Sequence, residues 1–393
     1  MPLTHSRHAD MQTWRHDFHR HPELAFEENR TAERVSALLL SFGLEVHQGI
    51  GNTGVVGILK KGSSQRSIGL RADMDALKIH EQNTFEHCSL TDHKMHACGH
   101  DGHTAMLLGA AQYLAEQGKF DGTVVFIFQP AEEHGEGAKA MLADGLFERF
   151  PVDAVYAIHN FPSLGVGKFA IRAGSIMAAE DNFEIIVNGV GHHAAMPHLG
   201  VDAIVVAAAI VTAMQSLVSR TLNPMDNAVV SFTEFITNGT VNVVPGQVVL
   251  KGDTRSLTTE VQNHIEVAME RIVSGICESY GAQYTFSYRH NFIPTINAPK
   301  ESEIAAKVAR KLIGAENVIT DGSAVMTSED FGWMLKEKPG AYLLLGNGDQ
   351  GIGSISLHNP LYDFNDKILT IGADFWIELV QSQLAPNTAE TDI

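Results

Sequence analysis

The sequence predicts an α/β protein: a mostly parallel-sheet domain with helices on both faces, plus an inserted ferredoxin-like α+β domain. Three observations predict it. Up to Asn182, apolar β-branched runs alternate with helical patterns, the order that builds parallel sheets covered on both faces. From Asn182 the order becomes strand, helix, strand, strand, helix, strand, the split βαβ unit of ferredoxin-like domains. A chain of 393 residues also exceeds what one ordinary core accommodates, so two domains are expected.

Taken in order, β-branched apolar runs place strands at residues 53–59, 67–72, 123–128 and 154–158, with amphipathic helices at 104–116 and 136–147 between them. The inserted block reads as a strand at 183–190, a helix at 201–222, strands at 228–236 and 248–254, a helix at 259–280 and a strand at 283–288. A helix at 301–312 and a buried strand at 341–345 return the chain to the first domain. The expected domains are therefore 1–181 with 294–393, and 182–293. No internal repeat or low-complexity tract interrupts them.

Composition narrows the function classes. With 44% hydrophobic and 19% charged residues the chain is globular, not disordered or fibrous. A net charge of −18 repels a phosphate backbone, which argues against nucleic acid as a partner. A local cluster of Arg, His and metal ions still accepts an anionic substrate. The longest apolar stretch, 203–214, has the length of a buried core helix, so no membrane span is expected. The N-terminus lacks a signal-peptide layout, and three cysteines cannot all pair internally, so a cytoplasmic setting is expected. Cys88 and Cys277 read as ordinary thiols. The last ten residues are polar, carry Pro386, Thr388 and Thr391, and are not expected to fold.

The chemistry gathers in five clusters. Arg71-Ala72-Asp73-Met74-Asp75, the Gln129 to His134 stretch, His159-Asn160 and the approach from Gly346 to His358 each follow an apolar strand. Open α/β sheets bind ligands beyond the carboxyl ends of their strands, so clusters there converge. The fifth, residues 95–103, packs Cys98, His96, His100, His103 and Asp101 before a helix expected from Thr104. Thiol, imidazole and carboxylate together suit zinc and neighbouring ions. Adjacent Glu132 and Glu133 repel one another unless a cation sits between them. A metal there lets one ligate while the other takes a proton from metal-activated water.

With these residues in place, the sequence resembles the M20 metallopeptidase family, in its amidohydrolase branch of hippurate hydrolases and N-acyl-amino-acid deacylases. Landmarks run through nearly the whole chain, among them Phe18 to Leu24, Gly191 to His198, Ser328-Glu329-Asp330-Phe331 and Leu357-His358-Asn359-Pro360. The resemblance implies two divalent metal ions per subunit (Zn, Mn, Ni or Co), held by Cys98, His100, Glu133, His159 and His358, with Glu132 as general base. It implies that Asp75 orients a ligand, with Asp101 as the alternative. It implies that His193 donates to the tetrahedral oxyanion, although His192 stands where the branch usually has Gly, so either imidazole is a candidate. Asn242 and Arg255 match positions that hold the substrate carboxylate.

The expected activity is metal-dependent hydrolysis of the amide bond of small N-acyl or N-aroyl amino acids of the hippurate type, in a homodimer or dimer of dimers. The alternatives are a deacylase for another conjugate, such as N-acetyl-diaminopimelate or an indole-acetyl amino acid, and a dipeptidase or aminopeptidase on the same fold. A non-catalytic binding protein would have lost a ligand or Glu132, and none is missing. Acyl preference and the physiological metal are not written in the sequence.

Overall fold

The computed structural model describes residues 4–386. Most of the ten C-terminal residues read as unfolded, 387–393, lie outside that range. The chain forms two compact units, Met1–Ile176 with Ile296–Ser323 and Asp330–Ile393, and Met177–Thr295 with Ala324–Glu329. The sequence reading keeps all of 294–393 in the first domain, whereas 324–329 belongs to the second. That segment is tied there by backbone: Ala178 N–H donates to Thr327 O at 2.9 Å and Met177 bridges Val325. No local pattern announces such pairing.

The first unit begins with α1 (His8–Arg20) and α2 (Asn29–Ser41), then β1 (Glu45–Ile50), β2 (Gly54–Lys61) and β3 (Ser67–Asp73). It continues with α3 (His100–Gln117), β4 (Gly122–Gln129), α4 (Gly137–Ala143), α5 (Leu146–Arg149), β5 (Ala154–Pro162) and β6 (Phe169–Ala170). After β7 (Gly174–Met177) come β8 (Ala179–Asn188), β9 (His192–His193), α6 (Ala203–Ser216), β10 (Ala228–Thr237), β11 (Val243–Val244), β12 (Gln247–Ser256), α7 (Thr259–Tyr280) and β13 (Gln283–Phe292). The remainder is β14 (Thr295–Asn297), α8 (Pro299–Ile313), β15 (Val318–Ile319), α9 (Gly332–Glu337), β16 (Gly340–Gly348) and α10 (Leu369–Gln383).

The large sheet has the order β1-β2-β4-β3-β5-β16-β6-β15, and its central strands β4, β3, β5 and β16 are parallel. Antiparallel pairings join β1, β2 and β4 on one side and β6 to β16 on the other. Both faces are covered. On β4, Val124, Phe126 and Phe128 enter the main core, while the alternating Val125 and Ile127 are just as buried on the opposite face. The helix expected over 136–147 is two helices, because Gly145 at φ 77° breaks the run.

The second unit carries an antiparallel sheet ordered β10-β12-β8-β13, the ferredoxin-like arrangement, with α6 and α7 packed on it. Asp202 caps α6 by accepting from Ile204 and Val205 N–H, and Thr258 caps α7 through Val261 N–H. Gly281 at φ 72° ends α7. The apolar run at 203–214 is not buried all round as expected. Val206, Ala207, Ile210 and Met214 enter the core while Ile204 and Val205 face out at 38% and 49% exposure. The stretch Ala203–Thr221 is long and apolar enough to cross a membrane, with 33% of it buried, by length and composition alone.

Candidate metal centre

The parallel strands bring the sequence clusters together at their carboxyl ends. β3 ends on Asp73 and β4 on Gln129, and these two residues are register partners. Arg71 stitches the ends: its guanidinium donates to Gln129 Oε1 at 2.9 Å, Asp73 Oδ2 at 2.6 Å and Asp330 Oδ1 at 3.1 Å, all buried. On β5 the neighbours His159 and Asn160 face the same end.

The thiol and imidazole cluster turns on Gly99. α3 starts at His100, not at Thr104, because Gly99 takes φ 96° and caps it. A Cβ there would stand 2.2 Å from Asn160 Oδ1, so only glycine permits the turn. His100 Nδ1 donates to Asp75 O at 2.9 Å and lies 3.2 Å from Asp75 Oδ1. Its Nε2 is therefore the nitrogen that has a lone pair to offer when the ring is neutral, and it lies 3.8 Å from Asp73 Oδ2, 3.9 Å from Glu132 Oε2 and 4.0 Å from Glu133 Oε1. His159 Nδ1 donates to Asn160 O at 2.7 Å, which turns its Nε2 toward Cys98 Sγ, 3.4 Å away. His358 takes the left-handed conformation at φ 64°, anchors its N–H on Ala97 O and sets Nε2 3.4 Å from Glu133 Oε2. Such strain is kept where a side chain must be aimed.

Electrostatics asks for a cation at this point. Burial opposes charge on His100, but Asp73, Asp75 and Glu133 push it up to about 10. Burial pushes the Cys98 thiol well up, and the charges of Glu133 and Glu132 add to it. Burial works to raise Glu133, yet the bond to His358 and the charge of His100 leave it below its ordinary value. Burial and the charge of His103 hold His159 well below the usual range, so it stays neutral. Two buried atoms, His100 Nε2 and Glu133 Oε1, have no hydrogen-bond partner. Cys98 Sγ, Glu133 and His358 offer donor atoms within 4.8 Å of one another, as do His100, Glu132 and Glu133. Without a metal, the carboxylates hold a proton on His100 at the point where a cation would sit, and unpartnered buried atoms in such an acidic cluster are the chemistry of a metal site, so the residues fit divalent ions.

Other members of the clusters are already committed to protein. His103 bonds Asp73 Oδ1 at 2.6 Å through Nδ1 and meets Asn160 Oδ1 at 2.8 Å through Nε2, although Asp73, His100, His103 and His159 also form a four-residue donor group. Asp101 faces His19 Nδ1 at 2.8 Å and Arg15, so Asp75 is the carboxylate in contact with His100. His96 is buried, and burial lowers it to about 3, leaving it neutral. A separate exposed group, His80, Asp92 and His93, has no buried orphan atom and is a solvated ion-pair cluster.

Sequence reasoning placed Asp73, Gln129, Asp330 and His19 in clusters or landmarks but gave them no role, and it passed over Arg15. The Arg71-x-Asp73 pattern was visible, but its partners meet only through strand register. His19 lies in the Phe18 to Leu24 landmark and is wholly buried between Asp101 and Glu81. Burial opposes its charge, but the bonds to Asp101 and Glu81 raise it from 6.5 to about 9. A raised histidine stabilises the fold fully below pH 6.5 and loses that contribution as pH climbs through 9. The unfolding free energy is thus expected to fall by on the order of 3 kcal/mol across that window. Urea titrations at stepped pH test it, and an equally steep fall in His19→Gln would sink the assignment.

The remaining expected site residues lie in the second unit. His193 sits on β9, paired with Val243 of β11, and Asn242 precedes that strand, its carbonyl accepting from Ala194 N–H at 3.0 Å. His193 Nδ1 accepts from Ala195 N–H at 3.0 Å, so the proton of the neutral ring is on Nε2. His192 Nδ1 instead donates to Val190 O at 3.1 Å. Arg255, on β12, reaches Glu180 at 2.8 Å, Asp253 at 2.9 Å and Ser328 Oγ at 2.8 Å through Nη1 and Nε.

Fold and donor set together define a class, the metal-dependent hydrolases built on an open α/β sheet with an inserted ferredoxin-like domain. Residues 69–382 match the model of Peptidase family M20/M25/M40, and the chain belongs to that family as one of its enzymes. It is 41% identical to a hippurate hydrolase of Campylobacter jejuni, over 96% of this chain and 97% of that protein. It is 42% identical to an N-acyl-L-amino acid amidohydrolase of Geobacillus stearothermophilus, over 74% of this chain and 78% of that protein. Among solved structures, the YXEP protein of Bacillus subtilis, described as a dinuclear metal-binding peptidase from the M20 family, superposes with a TM-score of 0.84. That protein is 30% identical, and the match covers 96% of this chain and 99% of it.

Proposed function

We propose that the chain is an amidohydrolase that releases a carboxylic acid and a free amino acid from N-acyl or N-aroyl amino acids of the hippurate type, with Glu132 as general base. The observation that carries it is the division between two adjacent carboxylates, Glu132 buried and Glu133 partly buried. Glu133 is aimed at His100 and His358 with one oxygen orphaned, and Glu132 stands beside it, 3.9 Å from His100 Nε2. Cys98, His100, Glu133, His159 and His358 would hold two divalent ions, with Asp75 orienting His100. When bound, such ions polarise the scissile carbonyl and lower the pKa of water to about 7.

Glu132 takes a proton from the attacking water as the oxygen bonds to the carbonyl carbon and the π pair moves to the carbonyl oxygen. It then hands that proton to the amide nitrogen, the C–N bond breaks with its pair on nitrogen, and the amino acid leaves. His193 donates its Nε2–H to the oxyanion, a contribution typically worth several kcal/mol. Nδ1 acceptance from Ala195 supports His193 over His192, whose Nε2 is left as an acceptor. Asn242 and Arg255 hold the substrate carboxylate, Arg suiting a planar bidentate partner. Residues 182–293 act as a lid and dimer contact in a cytoplasmic homodimer or dimer of dimers, where His193 serves the partner's site.

The relative described as a peptidase favours a second reading, cleavage of dipeptides. Initial rates on hippurate, acetyl-, indole-acetyl- and dipeptide substrates separate the two, using chelated enzyme restored with Mn, Co, Ni or Zn. Metal-dependent release of free amino acid from acylated substrates is expected. Turnover of dipeptides alone would replace this reading with the peptidase one.

A further inference from the structure

The turn that carries the two carboxylates is held from beneath by another carboxylate that the reaction does not use. Glu28 stands at the N-terminal boundary of α2, where its side chain makes no capping bond, and is fully buried. Its Oε1 accepts Ala131 N–H at 2.9 Å and its Oε2 accepts Thr53 Oγ1–H at 2.5 Å. Two residues on, Glu133 N–H donates to Asp75 Oδ2 at 3.0 Å. The backbone on either side of Glu132 is thus docked on two carboxylates from different elements, one from α2 and one just after β3. Glu132 is the residue between the two anchor points.

The turn needs such anchors because its conformation is strained. Ala131 has φ 52°, a left-handed backbone that an alanine rarely adopts. Gly137 N–H closes the same turn on Ala131 O at 3.1 Å, and a Cβ at Gly137 would lie 1.6 Å from Pro130 O. Without its acceptor, Ala131 N–H would be a buried unsatisfied donor, and the backbone would relax toward an ordinary conformation. Burial pushes the Glu28 carboxyl up to about 7, with the charge of Asp75 adding to the rise. A carboxyl held in so unfavourable a place, facing backbone and hydroxyl donors, is there for its geometry.

We infer that Glu28 is a positioning residue for catalysis, which fixes the aim of Glu132 through the Ala131 peptide without touching substrate or ligand. The inference rests on the reading of Glu132 as the base. Misplacing a catalytic group by about 1 Å costs as much as 10²-fold in rate, so a change far from the reacting atoms is felt in kcat.

The test measures kcat, KM and bound metal for the holoenzyme and three variants, with Glu132→Gln beside them. Glu28→Ala is expected to lower kcat by roughly 10- to 100-fold with KM and metal content unchanged. Glu28→Gln keeps an acceptor for Ala131 and a partner for Thr53, and is expected to stay within about threefold of the parent, since shape and not charge is at issue. Thr53→Val frees one carboxylate oxygen and is expected to lower kcat severalfold, which keeps the test alive should Glu28→Ala fail to fold. Full activity in Glu28→Ala or Thr53→Val overturns the inference. So does a fall in kcat that tracks lost metal, or a failure of Glu28→Gln to rescue. If Glu132→Gln itself retains activity, the reading of the base fails instead.

Discussion

Glu132→Gln is expected to lower kcat on hippurate by about 10²–10⁴-fold, the range for removing a general base, while metal content and fold are unchanged. Glutamine matches the shape of the side chain and its hydrogen-bonding reach but cannot carry the proton from water to the amide nitrogen. KM should move little, because Glu132 is proposed to touch the travelling proton and not the ground-state substrate. Glu133→Gln should behave differently. That side chain is wedged between His100 and His358 with an orphaned buried oxygen, so losing its charge should empty the centre and take activity with it. Metal analysis beside initial rates separates the two, and equal metal loss in both variants would erase the proposed division of labour.

Arg71→Met is expected to destabilise the fold by about 3–5 kcal/mol. The guanidinium is 1% exposed and holds Gln129, Asp73 and Asp330 at three corners. Burial would raise Asp73, and the charges of His100, Arg71 and His103 keep it well below its ordinary value. Removing the cation takes from two buried carboxylates a charge partner that their remaining hydrogen bonds do not replace, which costs far more than the pair itself contributes. Asp73→Asn added to Arg71→Met should recover part of the loss, a coupling that a double-mutant cycle reads directly. A denaturation midpoint for Arg71→Met within about 1 kcal/mol of the parent would show that the network is dispensable.

Much of the fold was legible because local chemistry and tertiary structure agree. The β4 and β5 segments are apolar and β-branched, and both are buried on two faces. α1, α2, β1 and α10 escaped the sequence reading. α1 buries Met11, Trp14 and Phe18 at helical spacing, but it also buries Arg15 and His19, whose charge disguises the inward face. α10 buries residues all round, including Asp374, so it lacks an amphipathic signature. The break between α4 and α5 depends on one glycine, and the start of α3 on another.

What the sequence determined by itself was the set of chemical groups and their attachment to strand ends. Clustered thiols, imidazoles and paired carboxylates pointed to a cation, but it was the family resemblance that picked Cys98, His100, Glu132, Glu133, His159 and His358 out of those clusters, where His96, Asp101 and His103 stand beside them. Only the tertiary structure decided which partner each group faces. Asp75, not Asp101, meets His100, and His103 is consumed by Asp73 and Asn160. Glu28 lies far from Ala131 in sequence yet braces it. The physical reason is that donor type is a property of a residue. Lone-pair direction, burial and backbone strain depend on neighbours supplied by distant segments.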